Sequence, residues 1–317
     1  MLMSRLSQAS TSRLRKLGRE LYKHRWYYLL LLPAVAYFVI FKYVPMYGIT
    51  IAFKDFKLGK GILDSGWADP WFKCFKQLFR SELFWRSVKN TLSISFLKII
   101  VAFPIPIIFA LLIDALPGRR FKKTVQTVSY LPYFISWVVL GGILRSLLSP
   151  TYGAINYILG WFGVDPIHFL AEEEMFQAVL FITHVWQTVG YGSIVYLAAI
   201  AGVDQEIYEA ARVDGARRIQ MMLKITIPCI ASTILTMLIL DVGKFMSAGF
   251  DQVQNLYNPV VYSTGDIIDT FTYRAGLVDR NYSYSTAASL FQNIIGLILL
   301  LITNYVSKKV DSDSGLV

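Results

Sequence analysis

The chain has 317 residues, of which 55% are hydrophobic and only 16% charged, with a formal net charge of +10. So apolar a composition excludes an ordinary soluble globular domain and points to an all-α polytopic membrane protein. Basic segments facing anionic headgroups account for the excess positive charge, so no nucleic-acid partner is implied.

A membrane-crossing helix needs roughly 20 apolar residues to traverse the ~30 Å hydrocarbon layer. The chain divides into a basic tail (1–25), a first span (26–48), a loop (49–87), a five-helix core (88–306) and a short tail (307–317). The first tail carries Arg5, Arg13, Arg15, Lys16, Arg19, Lys23 and Arg25, which places the N-terminus in the cytoplasm; six spans then return the C-terminus to the same side. Leu14, Leu17 and Leu21 recur at helical spacing in that tail, as in an amphipathic helix on the inner leaflet, the alternative being a disordered basic tail. The first span is too long for a removable signal peptide, and no small-residue cleavage site follows it.

In the loop, Trp71, Phe72, Phe75, Leu78, Phe79 and Leu83 are predicted to share one face of an interfacial helix. The loop faces outward in this topology, although Lys54, Lys57, Lys60, Lys73, Lys76, Arg80 and Arg86 run against the charge bias. The core spans fall near residues 90–113, 125–148, 176–201, 223–245 and 287–306. Pro104 and Pro106 in the second, Gly190 and Gly192 in the fourth and Pro228 at the start of the fifth mark bends.

Three charges fall within spans: Lys98, Asp241 and Lys244. Charge at that depth faces protein or a water-filled pathway, and Asp241 and Lys244, three apart, can also pair locally and fix packing. Trp186, Gln187 and Tyr191 at helical spacing, with Gln292 and Asn293 in the last span, supply the aromatic faces and amides that a sugar site needs. The same residues could equally fill the bundle and bond between helices. His24, His168 and His184 lack ligand spacing, and Cys74 and Cys229 lie on opposite sides of the membrane in this topology, so no metal site or disulfide is expected.

Between the fourth and fifth spans the loop 203–221 interrupts the apolar pattern with Glu206-Ile207-Tyr208-Glu209-Ala210-Ala211-Arg212-Val213-Asp214-Gly215-Ala216. Asp204 is placed to cap a short helix, Glu206 and Glu209 suit its positive N-terminal half, and Asp214-Gly215 closes it. Ala210 and Ala211 leave the helix smooth enough to enter a groove on a partner.

Glu-Ala-Ala, three residues, Gly, and a run ending in Ile225-Thr226-Ile227-Pro228 resembles the cytoplasmic coupling loop of binding-protein-dependent ABC importer permeases. Leu32-Pro33-Ala34, Asn90-Thr91, the stretch from Leu131 to Ser136, Ser149-Pro150-Thr151-Tyr152-Gly153 with Asn156, and Phe250-Asp251 also resemble that family. The stretches from Tyr43 to Gly48 and from Ala52 to Phe56 are similar to a branch serving polysaccharide fragments. Two positions depart: Val203-Asp204 and Ala231-Ser232 stand where the family commonly has proline. The resemblance implies a type I importer permease fold of six transmembrane helices, in a bacterial plasma membrane. It further implies a second permease as partner, two ATPase subunits that hold ATP and Mg, an extracytoplasmic sugar-binding protein or lipoprotein, and an oligosaccharide cargo. It assigns Glu209, Ala210, Ala211, Asp214 and Gly215 to ATPase docking. The cargo is acidic or neutral on this reading, the basic outer loop favouring acidic polymers.

No G-x-x-x-x-G-K-[ST] phosphate cradle occurs, so no cofactor is expected on this chain. A membrane enzyme acting on lipid-linked sugars would need clustered acids at a membrane face, and a self-contained transporter would show an inverted repeat; neither accounts for the Glu209 loop.

Overall fold

A computed structural model describes residues 22–310, and the side chains of residues 22–309. The leucines at 14, 17 and 21 and most of the C-terminal tail lie outside the described residues. Among the described residues the regular elements are all helices, apart from one isolated bridge, Lys54 to Trp67. Four helices are long and apolar enough to span a membrane unbroken: α1 (Arg25–Phe53), α3 (Glu82–Ala115), α7 (Glu173–Ala201) and α13 (Tyr282–Lys309). Two bent pairs, α4 (Arg119–Phe134) with α5 (Trp137–Leu147), and α9 (Arg218–Cys229) with α10 (Ala231–Gly243), bring the described residues to six spans when each pair is taken as one.

The bends have local causes. The 100° turn between α4 and α5 falls where Pro132 tightens the last turn of α4 and Ser136 Oγ accepts from Val139 N to start α5 afresh. The 65° bend at Ile230 separates α9 from α10 just past Pro228. Proline also explains three widened turns. Val44 N bonds Val39 O, Phe103 N bonds Lys98 O and Ile227 N bonds Met222 O, each one residue before Pro45, Pro104 or Pro228. A proline lacks an N–H and crowds the carbonyl four residues back, and one i→i−5 turn relieves both without breaking the span.

Elsewhere the spans are longer than the apolar runs predicted. At ~1.5 Å per residue α3 extends about 50 Å, more than the ~30 Å hydrocarbon layer, so its polar Glu82 turn projects beyond it. The loop helix forms as α2 (Lys73–Arg80), but its buried residues are Cys74 and Leu78. Trp71 and Phe72 precede it, and they, Phe79 and Leu83 are exposed. The aromatic face is therefore split: α2 turns its small and aliphatic side chains inward, where Cys74 meets Ala52 and Ala287.

The bundle end that carries α2 is closed by polar side chains bonded to backbone. Asn90 Nδ2 donates to the carbonyls of Ser263 and Asp266 (3.0 and 3.1 Å), and Ile268 N donates to Thr91 Oγ1 (2.9 Å). Asp266, fully buried, receives both Arg274 nitrogens (3.2 and 2.6 Å), and Tyr262 covers the guanidinium. Asn156 holds a second loop through Ser149 O and both backbone groups of Ile167. Tight helix crossings complete the bundle. A Cβ at Gly190 would collide with the Ser129 carbonyl, and one at Gly192 would lie 3.3 Å from Pro106.

Candidate functional site

Two features stand out from the packed bundle. The first is α8 (Gln205–Val213), which joins α7 to α9. Asp204 Oδ1 accepts from Glu206 N (3.0 Å), the N-cap the sequence predicts. Gly215, at φ +79°, ends the helix. Ala216 N bonds Ala211 O (2.9 Å) and Gly215 N bonds Arg212 O (3.1 Å), so the last carbonyls are satisfied without outside help. A residue with a Cβ would be strained in that left-handed conformation, although the space around it is open.

Self-capped at both ends, α8 has little need of the bundle. It contains no buried residue. Its one side-chain tether is Tyr208 Oη to Thr226 Oγ1 of α9 (2.9 Å). Glu209, Ala210 and Asp214 are exposed and Ala211 is half-buried. Beside them Ile207 and Val213 are exposed too, the latter at 88%, as is Ile219 on α9. Exposed apolar side chains thus accompany the acidic ones on and beside this helix.

The second feature is a cavity of about 460 Å³ among α3, α4, α7, α10 and the turn after α10. Ser95 and Lys98 reach it from α3, Tyr133 from the α4 bend, His184, Thr188, Tyr191 and Tyr196 from α7, and Asp241 and Lys244 from α10 and its end. Tyr133 and Tyr191 stack face to face, centroids 3.9 Å apart and planes 4° apart. Lys98 Nζ donates to Ala248 O (2.8 Å) and Gln252 Oε1 (3.0 Å). Gln252, on α11 (Phe250–Leu256), is held in turn through its Nε2 by Leu180 O and Thr183 Oγ1. The cavity thus combines stacked rings, hydroxyls and charge, the chemistry a sugar requires.

Of the residues singled out in the sequence, the structure brings Lys98, His184, Tyr191, Asp241 and Lys244 into this cavity and places Trp186, Gln187, Gln292 and Asn293 elsewhere. Trp186 lines a wholly apolar pocket of about 420 Å³ between α5 and α7. Gln187 is buried and donates to Ile135 O (3.3 Å), bracing the α4–α5 bend. Gln292 and Asn293 line a third hollow of about 220 Å³ against the end of α10. There Gln292 Nε2 is committed to Met246 O and Asp269 Oδ1, while Asn293 bonds its own helix at Ser289 O. Helical spacing groups Trp186, Gln187 and Tyr191 along one stretch of α7, but their side chains leave it in three directions. Ser95, Tyr133, Thr188 and Tyr196 were missed, because nothing in a single strand of text joins them.

The permease family described as the binding-protein-dependent transport system inner membrane component matches residues 95–312. The chain belongs to that family. The permease is 41% identical to Protein LplB of Bacillus subtilis over 291 residues, covering 92% of this chain and 91% of the relative. It is also 41% identical to the polygalacturonan/rhamnogalacturonan transport system permease protein YteP of the same organism, over 92% of this chain and 90% of the relative. A solved chain from a bacterial ABC transporter involved in import of the acidic polysaccharide alginate superposes with a TM-score of 0.87. It is 38% identical and covers 93% of this chain and 99% of that one. A second structure, of the alginate transporter in complex with an alginate pentasaccharide-bound periplasmic protein, gives the same score and identity over 94% and 99%. The protein is therefore a multi-pass ABC permease for carbohydrate import and not an enzyme, with ATP hydrolysis residing on separate subunits.

Proposed function

We propose that this permease forms one half of the pathway of an importer for acidic oligosaccharides derived from plant or algal polysaccharides. A second permease supplies the other half, and two ATPase subunits, which hold ATP and Mg, dock beneath through α8 and its counterpart. An extracytoplasmic binding protein delivers the sugar. The observation that carries the reading is α8 itself: a helix capped by its own residues, offering Glu209, Ala210 and exposed Val213 to solvent between two spans. ATP-driven closure of the ATPase pair would push on that helix and, through Tyr208 and Thr226, on α9.

The topology that fits is a bacterial cytoplasmic membrane with both termini inside. Arg119, Arg120, Lys122 and Lys123 open α4 at the same bundle end as α8, and α13 finishes there with Lys308 and Lys309. At the other end, part of the basic charge is already used. Lys54 is buried and donates to Ile62 O (2.6 Å), and Lys73 pairs with Asp55 (2.9 Å). The acidic class of cargo is supported by the names of the relatives, one for polygalacturonan/rhamnogalacturonan and one for alginate.

Co-expression with the neighbouring genes and purification through a tag on this chain tests the reading. Recovery of a second permease and an ATPase, with hydrolysis stimulated by binding protein loaded with oligogalacturonide, is expected. A chain that purifies alone in every detergent and lipid tried, or hydrolysis indifferent to the loaded binding protein, would overturn it.

A further inference from the structure

The cavity among α3, α4, α7 and α10 holds a lysine and a hydroxyl whose hydrogen-bonding capacity the fold leaves incomplete. Lys98 has three donors and uses two, on Ala248 O and Gln252 Oε1. Both acceptors are neutral. Among the described residues the ion pairs are Lys73–Asp55, Lys122–Asp114 and Arg274–Asp266, so no carboxylate lies within ion-pair distance of Lys98. Asp241 and Lys244 share the cavity, and among the described residues neither forms an ion pair with the other or with Lys98, so the local pair that their spacing permits is not made. One turn before Lys98, Ser95 is 4% exposed, lines the cavity and has an Oγ with no hydrogen-bond partner.

An unpaired buried hydroxyl and an unbalanced ammonium are each costly, more so within a membrane. Ordinary serines in helices avoid the first cost by bonding back to a carbonyl, as Ser87 does to Phe84 O and Thr91 to Ser87 O on this same helix. Ser95 does not.

We infer that Ser95 and Lys98 form a carboxylate subsite in the translocation cavity, receiving the uronate group of an acidic sugar as it passes. The Ser95 hydroxyl and the free Lys98 N–H donate to the carboxylate, the anion balances Lys98, and the stacked Tyr133 and Tyr191 offer a ring face to sugar C–H groups in the same cavity. This rests on the importer reading above and deepens it: Ser95 and Lys98 become residues that determine specificity inside the membrane, in addition to selection by a binding protein.

The test compares uptake of an oligogalacturonide with uptake of the same oligomer after its carboxylates are reduced to hydroxymethyl groups. The complete importer is reconstituted in liposomes with its binding protein, and the sugar concentration is varied. Wild type should favour the acid. Lys98→Gln should raise the half-saturating concentration for the acid by about 10- to 100-fold, as for loss of a charge-assisted hydrogen bond, and leave the reduced oligomer within about twofold. Ser95→Ala, a milder change, should do the same on a smaller scale. Lys98→Arg, which keeps the charge, should restore part of the preference. Equal losses on both sugars, or an unchanged preference in Lys98→Gln and Ser95→Ala, would make Lys98 a helix latch and overturn the subsite. Wild type that imports only the reduced oligomer would instead overturn the acidic cargo itself, and the subsite with it.

Discussion

The α8 loop and the central cavity solve opposite problems. Helix α8 is built from consecutive residues, stabilised by its own ends through Asp204 and Gly215, and almost free of the bundle. The cavity is built from α3, α4, α7 and α10, and each of its side chains is placed by packing against elements distant in sequence. The difference teaches where function can be changed without unfolding the protein. Substitutions on the exposed face of α8 alter what it touches, whereas substitutions around the cavity act on the bundle that shapes it.

The strongest test of that contrast lies in the layer that closes the bundle. Arg274→Met strands the fully buried Asp266 without its bidentate partner, and losing one member of a buried pair costs about 3–5 kcal/mol. Thermal unfolding of the purified complex should show a large fall in midpoint; an unchanged midpoint would mean that this layer does not hold the bundle. Gly190→Ala should cost about 1–3 kcal/mol through overpacking, because the new methyl meets the Ser129 backbone and must part α4 from α7. Gly142→Ala, which meets nothing, is the matched control and should be silent in the same assay.

On α8 the effects should separate from stability. Gly215→Ala introduces a left-handed alanine, costing about 1–2 kcal/mol at the loop. The unfolding midpoint of the bundle should stay put while uptake falls several-fold. Asp204→Ala removes the N-cap at about 1 kcal/mol and should have the smallest effect of the series. Should either variant lower the bundle midpoint as much as Gly190→Ala does, α8 would be part of the core and the contrast would fail.

The same contrast explains what was legible in the sequence. Asp204, Asp214 and Gly215 announce α8 because caps and turns are local chemistry. The six spans are legible because the membrane demands length and apolarity, but the 100° bend at Ile135-Ser136 was not, since the apolar run continues across it. Asn90, Thr91 and Asn156 stand out in the sequence as motif residues, and the structure gives each a backbone carbonyl or N–H to hold. The cavity was only half legible. Charges inside spans signal themselves, as Lys98, Asp241 and Lys244 do, whereas Ser95, Thr188 and Tyr196 look like any other serine, threonine and tyrosine until the helices are packed.

The most direct test of the account places a photo-crosslinking amino acid at Val213, the most exposed apolar position on α8, in the assembled importer. Irradiation should join this chain to an ATPase subunit, and Glu209→Lys in the same complex should weaken that crosslink and abolish sugar-stimulated ATP hydrolysis while the permease remains folded. A transport-competent importer that yields no ATPase crosslink from position 213, with hydrolysis unaffected by Glu209→Lys, would contradict the assignment of α8 as the coupling element.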